Sequence, residues 1–197
     1  MSTPLRAWVD IRAGHPFRGT VPACAQGEVR VIQMRDLDPD ALAPVDWASL
    51  VRTELAGARH PDWLRAGDVL FAARGMRNYA LCLPEPPTPT VGAQYFFVLR
   101  PRTPRLRPDY LAWHINQAFS QRYLAAHAEG TDQLSIRRGV LESMPLVVPS
   151  LEHQRRVVEL AALAVQERLC HQALIRNRQQ ELEALAEALL ATPGLRV

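Results

Sequence analysis

Ser143-Met-Pro-Leu-Val-Val-Pro-Ser-Leu-Glu-His-Gln-Arg-Arg-Val-Val-Glu-Leu160 is the stretch where a mixed body gives way to one long amphipathic helix. Pro145 and Pro149 bracket a short β-branched run, and Ser150 is a good N-cap. Neither Pro nor Gly then recurs until Pro193-Gly194. These signals predict a helix with a defined start and stop. From Leu160, steps of 3.6 residues land on Leu160, Leu163, Glu167, Cys170, Leu174, Arg178, Leu182, Leu185 and Leu189, so seven of nine positions are apolar.

Length then decides where that stripe finds cover. As a helix, residues 151 to 190 would reach roughly 60 Å, whereas a body of about 150 residues measures roughly 40 Å across. The helix is therefore expected to overhang its own body. Leaving its apolar side chains wet would forgo on the order of 10–20 kcal/mol of gross burial. A second helix, from another copy or another protein, is the expected cover. The competing expectation is a terminal helix folded back on its own core. Glu167 and Arg178 interrupt the stripe, so it is no strict leucine zipper, and a 3.6-residue period implies nearly straight partners.

Working outward, the 197 residues with 48% hydrophobic content suffice for one α+β body and one appendage. The expected division is 1–149 for the body, 150–192 for the helix and 193–197 for a tail. No run of 18 apolar residues occurs, and Met-Ser-Thr-Pro-Leu-Arg lacks a signal-peptide core, so a cytoplasmic protein without membrane contact is expected. Cys24, Cys82 and Cys170 are scattered and odd in number, which indicates neither a disulfide framework nor a zinc site. The six histidines show no metal-ligand pairing. No metal and no cofactor are assigned.

All 23 basic residues are arginine. Without lysine, a P-loop and a Schiff-base enzyme are both excluded. The two-carboxylate-plus-lysine nuclease core lacks its third member, and no G-x-G-x-x-G or G-x-S-x-G turn is present. A GC-rich coding bias suffices to explain the missing lysine, yet its chemical consequence stands: guanidinium forks suit phosphates and guanine edges. The net charge of +3 is too small to identify a nucleic-acid binder by itself.

Apolar or alternating runs predict strands at Val29 to Met34, Asp68 to Arg74, Asn78 to Leu83 and Gln94 to Arg100. Helical patterns fall at Trp47 to Leu55 and Asp109 to Ala126, and proline-rich linkers at 84–90 and 100–108. Among aromatic residues, Tyr95, Phe96 and Phe97 offer a stacking platform in principle but read as core, as do Tyr110 and Trp113. Trp47 and Trp63 stay undecided. The arginines at 100, 102, 105 and 107 read as a stiff exposed connector.

The order of these pieces resembles a known family. Gly14-His-Pro-Phe17, Val31-Ile-Gln-Met-Arg-Asp-Leu37 and Leu64-Arg-Ala-Gly-Asp-Val-Leu-Phe-Ala-Ala-Arg-Gly75 resemble the start of a target recognition domain from type I restriction-modification specificity subunits. Pro108-Asp-Tyr-Leu-Ala-Trp-His-Ile-Asn116, Gly130 before Ile136, Leu141-Glu-Ser-Met-Pro-Leu-Val-Val-Pro149 and Leu151-Glu-His-Gln-Arg-Arg-Val-Val158 follow in the family's order. Each motif is weak alone; their order carries the resemblance. Family members usually carry two recognition domains and two long helices, and this chain holds one of each.

The resemblance implies a DNA reader without catalytic activity that directs a modification subunit and a restriction subunit. The first is an adenine methyltransferase using S-adenosylmethionine, the second is ATP-driven, and both cofactors belong to those partners. An Asn/Asp-Pro-Pro-Tyr/Phe methyltransferase signature is absent here. A half-length chain would rebuild the two-domain arrangement as a homodimer through Leu160, Leu163, Leu174, Leu182, Leu185 and Leu189. It would then read an inverted, bipartite site in double-stranded DNA. A DNA-binding regulator or antitoxin-like coiled-coil dimer without a methyltransferase is the alternative, and an enzyme with an unrecognised tyrosine or histidine site is a third reading.

Candidate DNA contacts are loop arginines and amides. Arg74, Gly75, Arg77 and Asn78 form a turn between two strands, open to reading as a groove-entering tip or a solvated hairpin. Arg18, Gln33 and Arg35 sit near strand ends, within reach of phosphates or in ordinary salt bridges. Thr131, Gln133, Arg137 and Arg138 occupy a Gly-flanked turn suited to backbone contact, with plain surface charge as the competing reading.

Overall fold

Val69-Leu-Phe-Ala72 is buried on every side chain, because it runs through the middle of a sheet with a core on each face. In the computed structural model, which describes residues 2–39, 45–55, 61–75, 77–130 and 134–191, the strands are as follows in chain order. They are β1 (Thr3–Pro4), β2 (Val9–Ala13), β3 (Val29–Ile32), β4 (Val51–Thr53), β5 (Val69–Ala72), β6 (Arg74–Gly75), β7 (Ala80–Cys82), β8 (Thr90–Gly92) and β9 (Phe96–Pro101). Helices α1 (Pro108–Asn116) and α2 (Ala118–His127) follow, then β10 (Leu134–Ser135), α3 (Arg138–Ser143), β11 (Pro145–Leu146) and α4 (Leu151–Ala191).

Antiparallel pairing gives a four-stranded sheet in the order β2-β9-β5-β7, and β4-β3-β8 form a second sheet in which β3 and β8 run parallel. Two small pairs, β1 with β11 and β6 with β10, close the ends. The two-residue period of β5 sends Val69 and Phe71 into one core with Leu99, Leu111 and Ile115. It sends Leu70 and Ala72 into the other with Ile32, Phe96 and Val98. The chain is thus α+β, with helices on one face of the main sheet and the smaller sheet on the other.

Two expectations are corrected. Trp47 to Leu55 is not a helix: Asp46 caps a turn by accepting the Ala48 N–H at 3.0 Å, and Val51–Thr53 then pairs with β3. The β-branched Val51 and Thr53 complete a sheet edge, so tertiary pairing overrides the helical periodicity. The single helix from Asp109 to Ala126 is two helices, broken at Gln117, whose backbone is extended. Asn116 explains the break. Its side chain accepts the Ala80 N–H and donates to the Ala80 carbonyl, both at 2.8 Å, clamping α1 to strand β7. Gln117 and Gln121 amides then cover the freed carbonyls of Trp113 and Ile115.

The linkers also shorten. Thr90 belongs to β8, and Arg100 belongs to β9, where it is no connector. Its guanidinium is largely buried against Asp68 at 2.7 Å and Asp62 at 2.5 Å, which pair it within the fold. That geometry raises its pKa further, chiefly through the Asp68 hydrogen bond.

The described residues fall into two compact units, one up to Glu159 and one from Leu160 onward. Helix α4 starts in the first. Ser150 Oγ accepts the His153 N–H at 3.4 Å, the expected cap. Gln154, fully buried, accepts the Arg107 N–H at 2.9 Å and donates to the Arg105 and Pro149 carbonyls at 2.8 Å. In the second unit the helix continues to Ala191, and Leu160, Leu163, Leu174, Leu182, Leu185 and Leu189 are all exposed, between 58% and 68%. Ile175 and Leu190 add to the exposed apolar surface. No described helix is long and apolar enough to cross a membrane.

Candidate functional site

Four segments of the first unit meet around a cleft of about 640 Å³. The loop after β2 supplies Phe17 and Val21, and the end of β3 supplies Gln33, Met34 and Arg35. Arg74 and Gly75 come from β6, and the turn before β9 brings Gln94 and Tyr95. Its polar side chains are the Gln33 and Gln94 amides, the Arg35 and Arg74 guanidiniums and the Thr20 and Tyr95 hydroxyls.

Backbone geometry sets the site. Gly75 has φ of 128°, a conformation closed to ordinary side chains, and a Cβ there would meet the Met34 Cε at 3.4 Å. The strand carrying Arg74 is held twice, by pairing with Ser135 on β10 and by the Ala73 N–H donated to the Tyr95 carbonyl at 3.0 Å. Gln33 opens a tight turn over Met34–Asp36. Its side chain accepts the Asp36 N–H while the Asp36 carboxylate accepts the Gln33 N–H at 2.8 Å. The Gln33 Nε2 is buried without a hydrogen-bond partner.

Of the residues expected to touch DNA, Gln33, Arg35, Arg74 and Gly75 line this one cleft, and Arg18, exposed, stands between its lining residues Phe17 and Gly19. Arg35 pairs loosely with Asp36 at 3.7 Å. Arg77 is exposed outside the cleft lining. Asn78 is a correction: it is buried and donates its amide to the Ala72 carbonyl at 2.9 Å, so it fastens the β5–β7 turn and has no surface for a base. Arg137 and Arg138 are exposed and paired with Glu129 at 2.6 Å and Glu142 at 2.7 Å. Such exposed pairs are weak and leave both guanidiniums exchangeable. Thr131 and Gln133 lie outside the described residues.

Tyr95 is the residue that sequence reasoning misplaced. Phe96 is buried and Phe97 packs on the core, as expected, but Tyr95 precedes the strand and is exposed. The Arg74 guanidinium lies over its ring, 5.6 Å from the centroid. The signal was the step from Gly92-Ala-Gln94 into the run, since a side chain ahead of the first ladder pair escapes the pleat.

Elsewhere the titratable groups are structural. His114 is buried, its Nε2 accepting the Val147 N–H at 3.3 Å, and burial pushes its pKa down to about 4, so the ring is neutral. Burial pushes the Cys82 thiol up to about 11, which leaves it unreactive. No cluster of three or more His, Cys, Asp or Glu residues converges on a metal-sized site among the described residues.

No family model and no curated protein matches the sequence. Solved structures do match. The type I restriction-modification S subunit of M. genitalium superposes with a TM-score of 0.55 at 13% identity, over 92% of this chain and 43% of that one. The HsdS subunit of Thermoanaerobacter tengcongensis gives 0.61 at 19%, over 96% and 43%. A chain from a structure of complex assembly and conformational transition in the type I R-M system gives 0.58 at 21%, again over 96% and 43%. The fold is that of an HsdS-like recognition domain followed by its long helix, as the resemblance in the sequence implied. This chain spans 43% of the length of each of these three matched chains.

Proposed function

We propose that the chain is a non-catalytic, sequence-specific DNA-binding specificity subunit of a type I restriction-modification system, acting as a half-subunit. Residues 1–149 are its recognition domain, 150–192 its spacer and pairing helix, and 193–197 a tail. The observation that carries this reading is the likeness in fold, over 92–96% of this chain, to chains of solved type I restriction-modification systems, S subunits among them. Two copies joined along the exposed leucines of α4 would restore a two-reader particle. Burying that surface in a shared seam is favourable at roughly 25 cal/mol per Å² of apolar area.

Identical readers related by a two-fold axis demand an inverted, gapped target. Arg18, Gln33, Arg35, Arg74 and Gly75 supply the recognition surface, with Arg77, Arg137 and Arg138 on phosphates. Methylation of adenine belongs to a partner modification subunit that holds S-adenosylmethionine, and cleavage to a restriction subunit. Selection of the full-length chain on random duplexes, alone and with a modification subunit, tests this. Enrichment of a gapped inverted repeat is expected. Recovery of no motif in either condition would defeat it, and an ungapped operator bound without any affinity for the modification subunit would replace it with a regulator.

A further inference from the structure

We propose that Glu167 and Arg178, the two charged residues inside the leucine stripe of α4, pair with each other across a two-fold axis and so fix the register in which a second copy docks. This rests on the pairing through α4 proposed above and names how the two helices meet. Leu160 and Leu185, Leu163 and Leu182, and Glu167 and Arg178 each lie equally far from one point, between Gln172 and Ala173. The stripe therefore reads alike from either end, with the glutamate answered by the arginine. A two-fold axis through that point, normal to the helix, makes the partner antiparallel, and any contact from residue i to residue j is repeated from j to i. Leu160 then faces Leu185, Leu163 faces Leu182, and Glu167 faces Arg178, each contact made twice.

Electrostatics rejects the competing arrangements. Within one chain Glu167 reaches His171 at 3.8 Å and Arg178 reaches Glu181 at 3.2 Å, and all four side chains are at least 63% exposed. Such local pairs are weak and exchangeable. A parallel partner in register would set Glu167 on Glu167 and Arg178 on Arg178, like charges in a seam that excludes water. An antiparallel partner slipped by two helical turns would set Arg178 against Leu174 or Leu160, leaving a guanidinium without an anion among leucines. Of these arrangements, only the centred register gives both charges a counter-ion. A polar pair within an apolar stripe lowers the affinity that an unbroken leucine seam would have, and in return selects one partner and one alignment.

The test has two arms, both on the full-length chain. In the first, sedimentation compares the wild type with Glu167→Arg, Arg178→Glu and the double swap Glu167→Arg/Arg178→Glu. Each single change puts like charges face to face twice per dimer and should raise the dissociation constant about tenfold, whereas the double swap should return it to within about twofold of the wild type. In a parallel pair the double swap would relieve nothing. In the second arm, Leu160→Cys and Leu185→Cys are each made together with Cys170→Ser and oxidised mildly, alone and mixed, at a concentration where both sediment as dimers. The mixture should give a covalent dimer on a non-reducing gel, because the two thiols meet. Either chain alone should not, because its own two thiols stand about 37 Å apart in this register. A mixture without a covalent dimer, a covalent dimer from either chain alone, or a double swap no tighter than the single variants overturns the register while the homodimer stands. A wild type that never exceeds the mass of one chain overturns both. If a charge variant fails to fold, the cross-linking arm decides.

Discussion

Leucine does opposite work in the two units of this chain. Leu70, Leu99, Leu111 and Leu141 in the first unit are 0% exposed, whereas Leu160, Leu174, Leu182 and Leu189 on α4 are 58–68% exposed. In the first unit each leucine meets partners from distant sequence, as when Leu111 of α1 packs with Phe71 of β5. On α4 the leucines recur at helical spacing along one element, where neighbours in sequence share a face and none closes over another. The difference teaches that an apolar residue reports burial only when the chain supplies a second surface. A long exposed stripe is surface left open to a partner.

Truncating one leucine in each unit is the sharpest way to break the comparison. Leu111→Ala should cost about 2–5 kcal/mol of the stability of the first unit, seen as a lower urea midpoint, because it leaves a cavity between α1 and the main sheet. A smaller effect follows from pH and belongs to the first unit alone. Burial lowers the pKa of His114 from 6.5 to about 4, so folding favours the neutral ring. That stabilisation is complete above about 6.5 and is lost as pH falls through 4. The loss should reach up to about 3 kcal/mol, and His114→Gln, which keeps an acceptor for the Val147 N–H, should flatten the decline. Melting curves at pH 7, 5 and 4 check the sign. Smallest of all, Leu182→Ala should move the stability of the first unit by less than about 0.5 kcal/mol. A Leu182→Ala loss equal to that of Leu111→Ala would erase the distinction between the two leucine sets.

The same contrast explains what the sequence could disclose. Helix α4 was legible from Ser150 onward because its start, period and end are local properties of one uninterrupted element. Strand β5 was legible because its apolar run is short and bounded by Gly67-Asp68. The break at Gln117 was not, since no Pro or Gly marks it and its cause is the Asn116 clamp on Ala80, 36 residues away. Arg100 was misread for the same reason: Asp62 and Asp68, its partners, stand 38 and 32 residues earlier. Strand β2 did carry a signal, the alternation of buried Val9 and Ile11 with Asp10 and Arg12. In the cleft, Gln33, Arg35, Arg74 and Gly75 were found as strand-end residues, but that they share one wall follows only from tertiary pairing. Asn78 and Tyr95 exchanged roles because a turn amide and an aromatic run each have two environments that composition does not separate.

Sedimentation of the full-length chain tests most directly the idea that α4 joins two copies. At micromolar concentration the wild type should sediment at twice its 22.1 kDa mass. Leu182→Asp/Leu185→Asp, which forces carboxylates into a dry seam, should sediment as the single chain with the first unit still folded. A wild type that stays at 22.1 kDa at every concentration and with duplex DNA present, or a double variant that keeps the doubled mass, would contradict the account.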